Sequence, residues 1–435
     1  MIAALGLSLL AAGPLLHEER FRLEQPSEVV AILTAGCERC DWGVPEREAA
    51  ALVLSVDGKY SQHLLLCRGQ EPAEYRVALG ALAAGPHRLQ VRLDRGASAP
   101  RAGRVTLPAI RLAVLPDDDG DYAMLAHAPL LHARPDTLGR FTDLPVLMWC
   151  EREATANGYR LRYSVVFTNE DGGTPPDRLM AKWGRTTDIE HVYSVGLDEA
   201  GQVVVEEFQG KDHKLLPFRG PHEGSHPLVW VVTDNNMVSD RGETTRRYAP
   251  APERIDLTDV SREAVMDAHP WTYRVSAQEA RREGHVAEGA RPGSGKIPDP
   301  RRFVTLEACA EVKDAALSFA LGAAGPGGET RWYESDGGLP KFRVDRSGCF
   351  RSAVAVPADA GRLVALRLRA FTRLPEEGEA PRPPGTGRAT ITRINKLFRV
   401  GEDDEPAENL YAWAGEASLA AEGPPLERPL RPANR

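Results

Sequence analysis

Beyond its first residues, this 435-residue chain has no stretch approaching the ~18 consecutive apolar residues of a membrane-spanning helix. It also lacks an excess of positive charge. Lys and Arg number 54 against 62 Asp and Glu, a formal net charge of -8, which argues against a surface built to grip nucleic acid. Long helical patterns are few. Several enzyme motifs are missing as well. No G-x-S-x-G elbow occurs, so a serine nucleophile has no support. Cys37-Glu-Arg-Cys40 has neither a second CxxC to complete a zinc site nor a βαβ pattern around it, which leaves a local disulfide or no bond. Gly293-Ser-Gly-Lys296 fails as a phosphate loop, because no Gly stands five positions before Gly295, Ile297 replaces the needed Ser or Thr, and no strand leads in. Asp117-Asp-Asp-Gly-Asp121 lacks the Glu that a calcium-binding helix–loop–helix requires and reads as a solvated turn. His222-Glu-Gly-Ser-His226 matches H-E-x-x-H literally, but Gly220-Pro221, Gly224 and Pro227 surround it. Gly and Pro cost ~1 and ~3 kcal/mol inside a helix, so this segment predicts a turn running into a strand.

What is present is a turn-rich β pattern. Hydrophobic residues make up 42% and charged residues 27%, normal for a globular chain, while 40 Gly and 34 Pro punctuate short β-branched runs. The length implies two or three domains. Residues 1–19 open with MIAALGLSLLAAG, an apolar run ending in small residues, and predict a secretory signal segment despite the missing Lys or Arg before it. The chain is therefore expected to be secreted or periplasmic, where its six cysteines are permitted to pair; Cys309 and Cys349 share one block and are placed to close a sheet. Residues 20–118 predict an N-terminal accessory β-sandwich, with AGPHRLQVRLD alternating as a half-buried strand. Residues 119–275 predict a central β-sandwich, jelly-roll-like, carrying the site. Residues 276–302 read as a linker or long loop, 303–422 as a β-rich C-terminal region, and 423–435 as a disordered tail.

The central unit concentrates the chemistry. Seven of the eleven histidines fall there, at positions 127, 132, 191, 213, 222, 226 and 269. Apolar runs such as Tyr163–Phe167, Val192–Val195 and Leu228–Val232 end in knots of polar residues: Asn169, Glu170 and Asp171; then Asp188, Glu190 and His191; then Asp212 and His213; then Asp234 to Asn236. Strand ends place such groups together on one rim. Asp188 and Glu190, two apart on a strand, share a face and repel unless a cation or a basic partner lies between them. Arg185 and His191 are the basic partners within reach. Ca²⁺ or Mg²⁺, bound by Asp171, Asp188 and Glu190, is the other solution. His213 or His191 suits an acid or base near neutral pH, and Glu170 and Glu190 are carboxylate candidates for glycoside cleavage. Trp183, Asn169, His226, Asp234 and Asn235 are the candidate substrate contacts, with Trp183 able to stack on a sugar ring.

The order of these pieces (a strand ending in acids, then G-x-x-x-D-x-E before a Val-rich strand, an isolated His, then H-P-x-V-x-V) resembles the Vps62-like proteins and the necrosis-inducing (NPP1-type) secreted proteins. The resemblance covers residues ~160–235. Gly184, Asp188 and Glu190 match the Gly, Asp and Glu of their motif, while Arg185, Thr187 and Ile189 replace its His and Trp positions. It implies a β-sandwich, an exported protein facing glycan or glycolipid, and acids that help hold a divalent cation. Three functions follow as expectations: a metal-assisted polysaccharide hydrolase or lyase using Arg185, His191, Glu170, Glu190 and His213; a non-catalytic cation-dependent binder of extracellular polysaccharide or glycolipid; and a structural or interaction protein whose polar knots are buried networks.

Overall fold

The computed structural model describes residues 13–325 and 327–430. The protein is mainly β, with 49% strand and 10% helix arranged in several antiparallel sheets, as the short β-branched runs and abundant turn residues predict. The chain divides into two compact units. The first holds the described residues up to Gly173 together with Thr187–Asp256; the second holds Thr174–Thr186 and the described residues from Leu257 onward. The expected N-terminal and central sandwiches thus fall largely in one unit, while residues 174–186 and 257–275 of the expected central domain belong to the second.

In the first unit, one layered pair of sheets lies at the N-terminal end. A four-stranded sheet runs in the order Leu15–Leu23, Gly85–Asp94, Ala51–Val56, Lys59–Leu65, and a three-stranded sheet in the order Ala73–Leu82, Ser27–Cys37, Val105–Pro116. The expected signal segment falls on residues 1–12, outside the described residues, and on Leu15–Leu23, which is a paired edge strand. Cys37 and Cys40 form the local disulfide. The second pair of sheets carries the polar knots. Its six-stranded sheet runs Leu215–Pro217, Val203–Gln209, Asp188–Asp198, Gly158–Phe167, Pro145–Thr155, Glu253–Arg254. The facing five-stranded sheet contains His222–Glu223, His226–Val231, Leu130–His132 and Arg247–Tyr248, with Val238–Ser239 pairing His226–Val231. Between them sit Met148, Leu161, Tyr163, Val165, Phe167, Val192, Val195, Val229 and Val231, all buried. Burying one such side chain stabilises by ~1.5–3 kcal/mol, so the inward residues fix the register and leave the strand ends to carry charge.

In the second unit, two four-stranded sheets enclose a core of Leu306, Phe319, Leu321, Phe350, Leu366, Leu368, Ile394 and Leu397. Phe303–Lys313 and Gly348–Ala355 pair with Cys309 opposite Cys349, and the two cysteines are bonded. Arg351 is fully buried there, held by Asp267, Glu307 and the Tyr273 hydroxyl. Burial works against ionisation of Asp267, but Arg351 and Lys396 outweigh it and hold that carboxyl below its ordinary range.

Three segments depart from expectation. Residues 276–282 are not loop but the end of a helix, Trp271–Arg282, whose buried Tyr273, Val275 and Ala280 anchor it. Leu426–Pro429 is a strand on Leu363–Thr372 rather than disordered tail; residues 431–435 lie outside the described residues. Pro176–Trp183 is a helix with Pro at its first position and Gly184 left-handed at its end (φ 66°), where a Cβ would meet Arg351 at 2.9 Å. The Gly293–Lys296 loop is an anion cradle already filled: the backbone N–H groups of Gly293 and Gly295 donate to one oxygen of Asp177, at 2.7 and 3.1 Å. No helix among the described residues is long and apolar enough to cross a membrane.

The Cys309–Cys349 bond spans 40 residues, and a loop of that size implies ~3–4 kcal/mol of stabilisation through the unfolded state. The double variant Cys309→Ala/Cys349→Ala is expected to unfold at correspondingly lower denaturant in non-reducing buffer. An unchanged midpoint would mean that sheet pairing alone sets the stability of this unit.

Candidate functional site

At one rim of the central sandwich the strand ends converge, and a buried guanidinium organises them. Arg134 follows the short strand Leu130–His132 and is 4% exposed. Its Nη2 lies 2.5 Å from Asp171 and 3.1 Å from Asp143, its Nη1 2.8 Å from Asp234, and its Nε 2.8 Å from Asp136. Asp143 is fully enclosed, whereas Asp136 and Asp234 reach solvent. Arg140 adds a second cation 3.5 Å from Asp171, and the Thr142 hydroxyl donates to the same carboxylate. Buried charges are tolerated only when so paired.

Asn236 links this cluster to the neighbouring strand. Its amide donates to Asp188 at 3.1 Å and to the Asn169 carbonyl at 3.1 Å, and lies 3.5 Å from Asp143. Asn169 in turn donates to Asp171, at 3.4 Å. Asp188 and Glu190 do share a face of the strand Asp188–Asp198, ahead of the bulge at Val192. Glu190 accepts from the Gln209 amide at 2.5 Å, and the His213 Nδ1 lies 3.8 Å from the same oxygen. Glu190 is 11% exposed in its side chain and His213 59%, so a sheltered carboxylate backs an accessible imidazole.

An open cavity of about 450 Å³ lies over this pair, lined by Lys211, Asp212, His213, Thr233, Asp234 and Asn235. Backbone strain concentrates around it. Asp212 (φ 61°), His213 (φ 57°), Asn236 (φ 55°) and Asp143 (φ 51°) are all left-handed without being glycine. Such conformations cost ~1–3 kcal/mol each and persist where surrounding contacts enforce them, commonly at functional sites.

The predicted residues therefore sort into four groups. His213, Glu190, Asp234 and Asn235 meet at the cavity, with Asn169, Asp171 and Asp188 in the network beneath. Glu170 and His191 are buried. Arg185 and Trp183 belong to the second unit, where Arg185 donates to Glu263 at 3.2 Å. His226 is buried against Glu28 of the N-terminal sheets, at 3.2 Å, rather than facing this cavity. The H-E-x-x-H segment is a hairpin turning at Gly224 (φ 65°). Asn236 belongs to one of the polar knots named from sequence; Gln209 and above all Arg134 were not singled out.

The predicted cation ligands do not assemble. Among the described residues no group of three or more His, Cys, Asp or Glu is placed to hold a metal ion. The reason is visible in their partners: Asp171 accepts from Arg134, Asp188 from Asn236, and Glu190 from Gln209. The guanidinium supplies the positive charge that a divalent cation would have brought, so the donor set does not fit Ca²⁺ or Mg²⁺.

Arg134→Ala strands Asp143 and Asp171 and is expected to cost ~3–5 kcal/mol in chemical denaturation; a loss below ~1 kcal/mol would show that the carboxylates find water instead. A second expectation concerns pH. Burial pulls the His132 imidazole down to about 4, though its Nδ1–H donates to the Thr244 carbonyl and its ring stacks on Trp230. The unfolded ring protonates near pH 6.5 and the folded one only near 4, so stability is retained above 6.5 and falls as pH drops through that window. In His132→Gln the fall should be shallower; parallel curves would remove His132 as a cause.

No protein-family model matches the chain, and no curated protein matches it in sequence. The reading of function therefore rests on the chemistry of this rim.

Proposed function

We propose that the rim binds an extracellular polysaccharide and cleaves it by acid–base chemistry centred on His213. The observation that carries this reading is the accessible His213 imidazole standing 3.8 Å from sheltered Glu190, in a polar cavity of about 450 Å³. That volume is typical of small-ligand sites, ~300–1,000 Å³. The lining matches a polyhydroxylated substrate: Asp234 and Asn235 accept or donate to hydroxyls, Thr233 adds a hydroxyl, and Lys211 adds a cation for an anionic sugar.

His213 serves as the group that takes or gives a proton at the scissile position. When the ring is charged, the Glu190 carboxylate stabilises the imidazolium across the 3.8 Å gap. Gln209, whose amide donates to Glu190 and lies 3.4 Å from His213 Nδ1, fixes the two relative to each other. Arg134 contributes indirectly, by holding Asp234 at the cavity and Asp171 beneath it. Hydrolysis and elimination share this requirement for one well-placed proton carrier. The two disulfides support an oxidising, extracellular setting. A second reading, glycan binding without cleavage, is favoured by the openness of the cavity and the many hydroxyl-matching groups around it.

The test is a panel of neutral and uronate polysaccharides, followed by reducing-end release and by absorbance of unsaturated products. His213→Ala and Glu190→Gln are expected to lower kcat by ~10²–10⁴ and ~10-fold respectively while leaving binding in place. Binding without turnover in the wild-type protein would establish the second reading. Neither binding nor turnover across the panel would sink both.

A further inference from the structure

A separate cavity of about 240 Å³ in the first unit is lined by residues of the N-terminal sheets together with Leu130, Glu223, His226 and Arg247; Tyr60 faces it and begins a hydroxyl–imidazole–carboxylate row whose other members lie behind the wall. The Tyr60 hydroxyl donates to His63 Nδ1 at 2.7 Å, and His63 Nε2 donates to Asp94 at 3.2 Å. The direction of each bond follows from the carboxylate. Asp94 only accepts, so Nε2 carries the ring proton and Nδ1 is left to accept from the phenol. Asp94 is itself fixed by the backbone N–H groups of Gly96 and Ala97. Burial, opposed by the Asp94 hydrogen bond, keeps the His63 ring below its ordinary pKa and hence neutral. Burial likewise lifts the Tyr60 phenol to about 12.

The backbone has been altered to make this row. Tyr60 and His63 are three apart on the strand Lys59–Leu65, and on a regular strand they would point to opposite faces. The register breaks between them: Leu54 pairs with Gln62 but Ser55 with Tyr60, so Ser61 is an extra residue and both side chains fall on one side. A second bulge, at Leu79, faces the same cavity. The Ser61 carbonyl accepts from Arg247 Nε, and the Arg247 backbone N–H donates to the Tyr60 oxygen at 3.2 Å. That second bond stabilises negative charge on the phenol oxygen. Val56, Leu79, Leu82 and Leu130 supply apolar wall.

We propose that Tyr60, His63 and Asp94 form an acyl-transfer triad that hydrolyses small carboxylic esters bound in this cavity. Tyr60 Oη attacks the carbonyl carbon while its proton passes to His63 Nδ1, and Asp94 stabilises the imidazolium. The bond to the leaving oxygen or sulfur breaks, and the leaving group takes the proton from His63. Water then attacks the acyl-tyrosine, giving its proton to His63, which returns it to Tyr60 as the free acid departs. The intermediate is an aryl ester, higher in energy than an alkyl ester. The substrate class is therefore an ester whose leaving group is about as acidic as a phenol, namely an aryl ester or a thioester. The inference is independent of the His213 rim.

The experiment uses p-nitrophenyl acetate and the full chain, following nitrophenolate release, with acid-quenched samples mapped by mass spectrometry. The expected result is turnover above the buffer rate, an acetyl group on Tyr60 in quenched samples, and a fall on the order of 100-fold in Tyr60→Phe. Asp94→Asn should lose both the rate and the adduct while melting as a folded protein. A Tyr60→Phe rate within about twofold of wild type overturns the proposal, as does a wild-type rate equal to buffer. Should Tyr60→Phe fail to fold, the map of the wild-type protein decides: acetylation confined to lysines and other tyrosines overturns it.

Discussion

The rim of the central sandwich depends on one buried positive charge. Arg134 is 4% exposed and has four carboxylates within 3.1 Å of its guanidinium nitrogens. Removing such an ion from water is tolerated only with close counter-charges, so the strand ends bearing Asp143, Asp171 and Asp234 have to meet where Arg134 sits. That meeting positions Asn236 against Asp188 and sets Thr233, Asp234 and Asn235 along the cavity wall. The strain at Asp143, Asp212, His213 and Asn236 follows, since turns drawn toward one point leave little freedom in φ. A guanidinium also settles the electrostatics in a way a divalent cation would not, because it donates in a plane and leaves Glu190 to Gln209 and His213.

This explains what the sequence could and could not disclose. The β architecture was legible because apolar alternation and turn residues are local signals, and Cys309 opposite Cys349 was legible because both lie in one sheet-forming block. The polar knots at strand ends were legible for the same reason, and His213, Glu190, Asp234 and Asn235 do converge. Arg134 was not. Asp136 and Asp143 are near it in sequence, but Asp171 and Asp234 lie 37 and 100 residues away, so no window around it shows the four carboxylates meeting. Its presence also changes the meaning of Asp188 and Glu190. The sequence reading asked for a cation or a basic partner between the two carboxylates; the fold places the Asn236 amide on Asp188 and the Gln209 amide on Glu190, with Arg134 one step further back.

The segment 174–186 shows a different kind of miss. Pro175-Pro176 and Gly184 bracket eight residues as a helix start and stop, a local signal that strand-rich flanks obscured. Once helical, the segment carries Trp183 and Arg185 out of the site unit, and Arg185 pairs with Glu263, whose carboxyl is held low by Arg185 despite burial. The same helix contributes Asp177 to the Gly293–Lys296 cradle. A loop that fails as a nucleotide motif by sequence still has the anion-binding geometry of successive backbone N–H groups, and the chain fills it with its own carboxylate.

Bulges are the feature that pattern reading handles least well, and in this protein they fall where chemistry is arranged. Alternation assumes a period of two, so a single inserted residue reverses every inference downstream of it. Val192 does this just beyond Glu190, and Ser61 does it between Tyr60 and His63. In the first case the acids precede the bulge and their shared face was predicted correctly. In the second the spacing of three forbids contact on a regular strand, yet the side chains are 2.7 Å apart. An inserted residue disrupts ladder hydrogen bonds and is retained only where something compensates. For Ser61 the compensation is explicit: its carbonyl takes the Arg247 guanidinium, whose two other nitrogens grip Glu223 in a bidentate pair. The bulge, the arginine and the phenol thus form one arrangement, and its geometry makes more sense as a device for aligning Tyr60 with His63 than as a fault in the sheet.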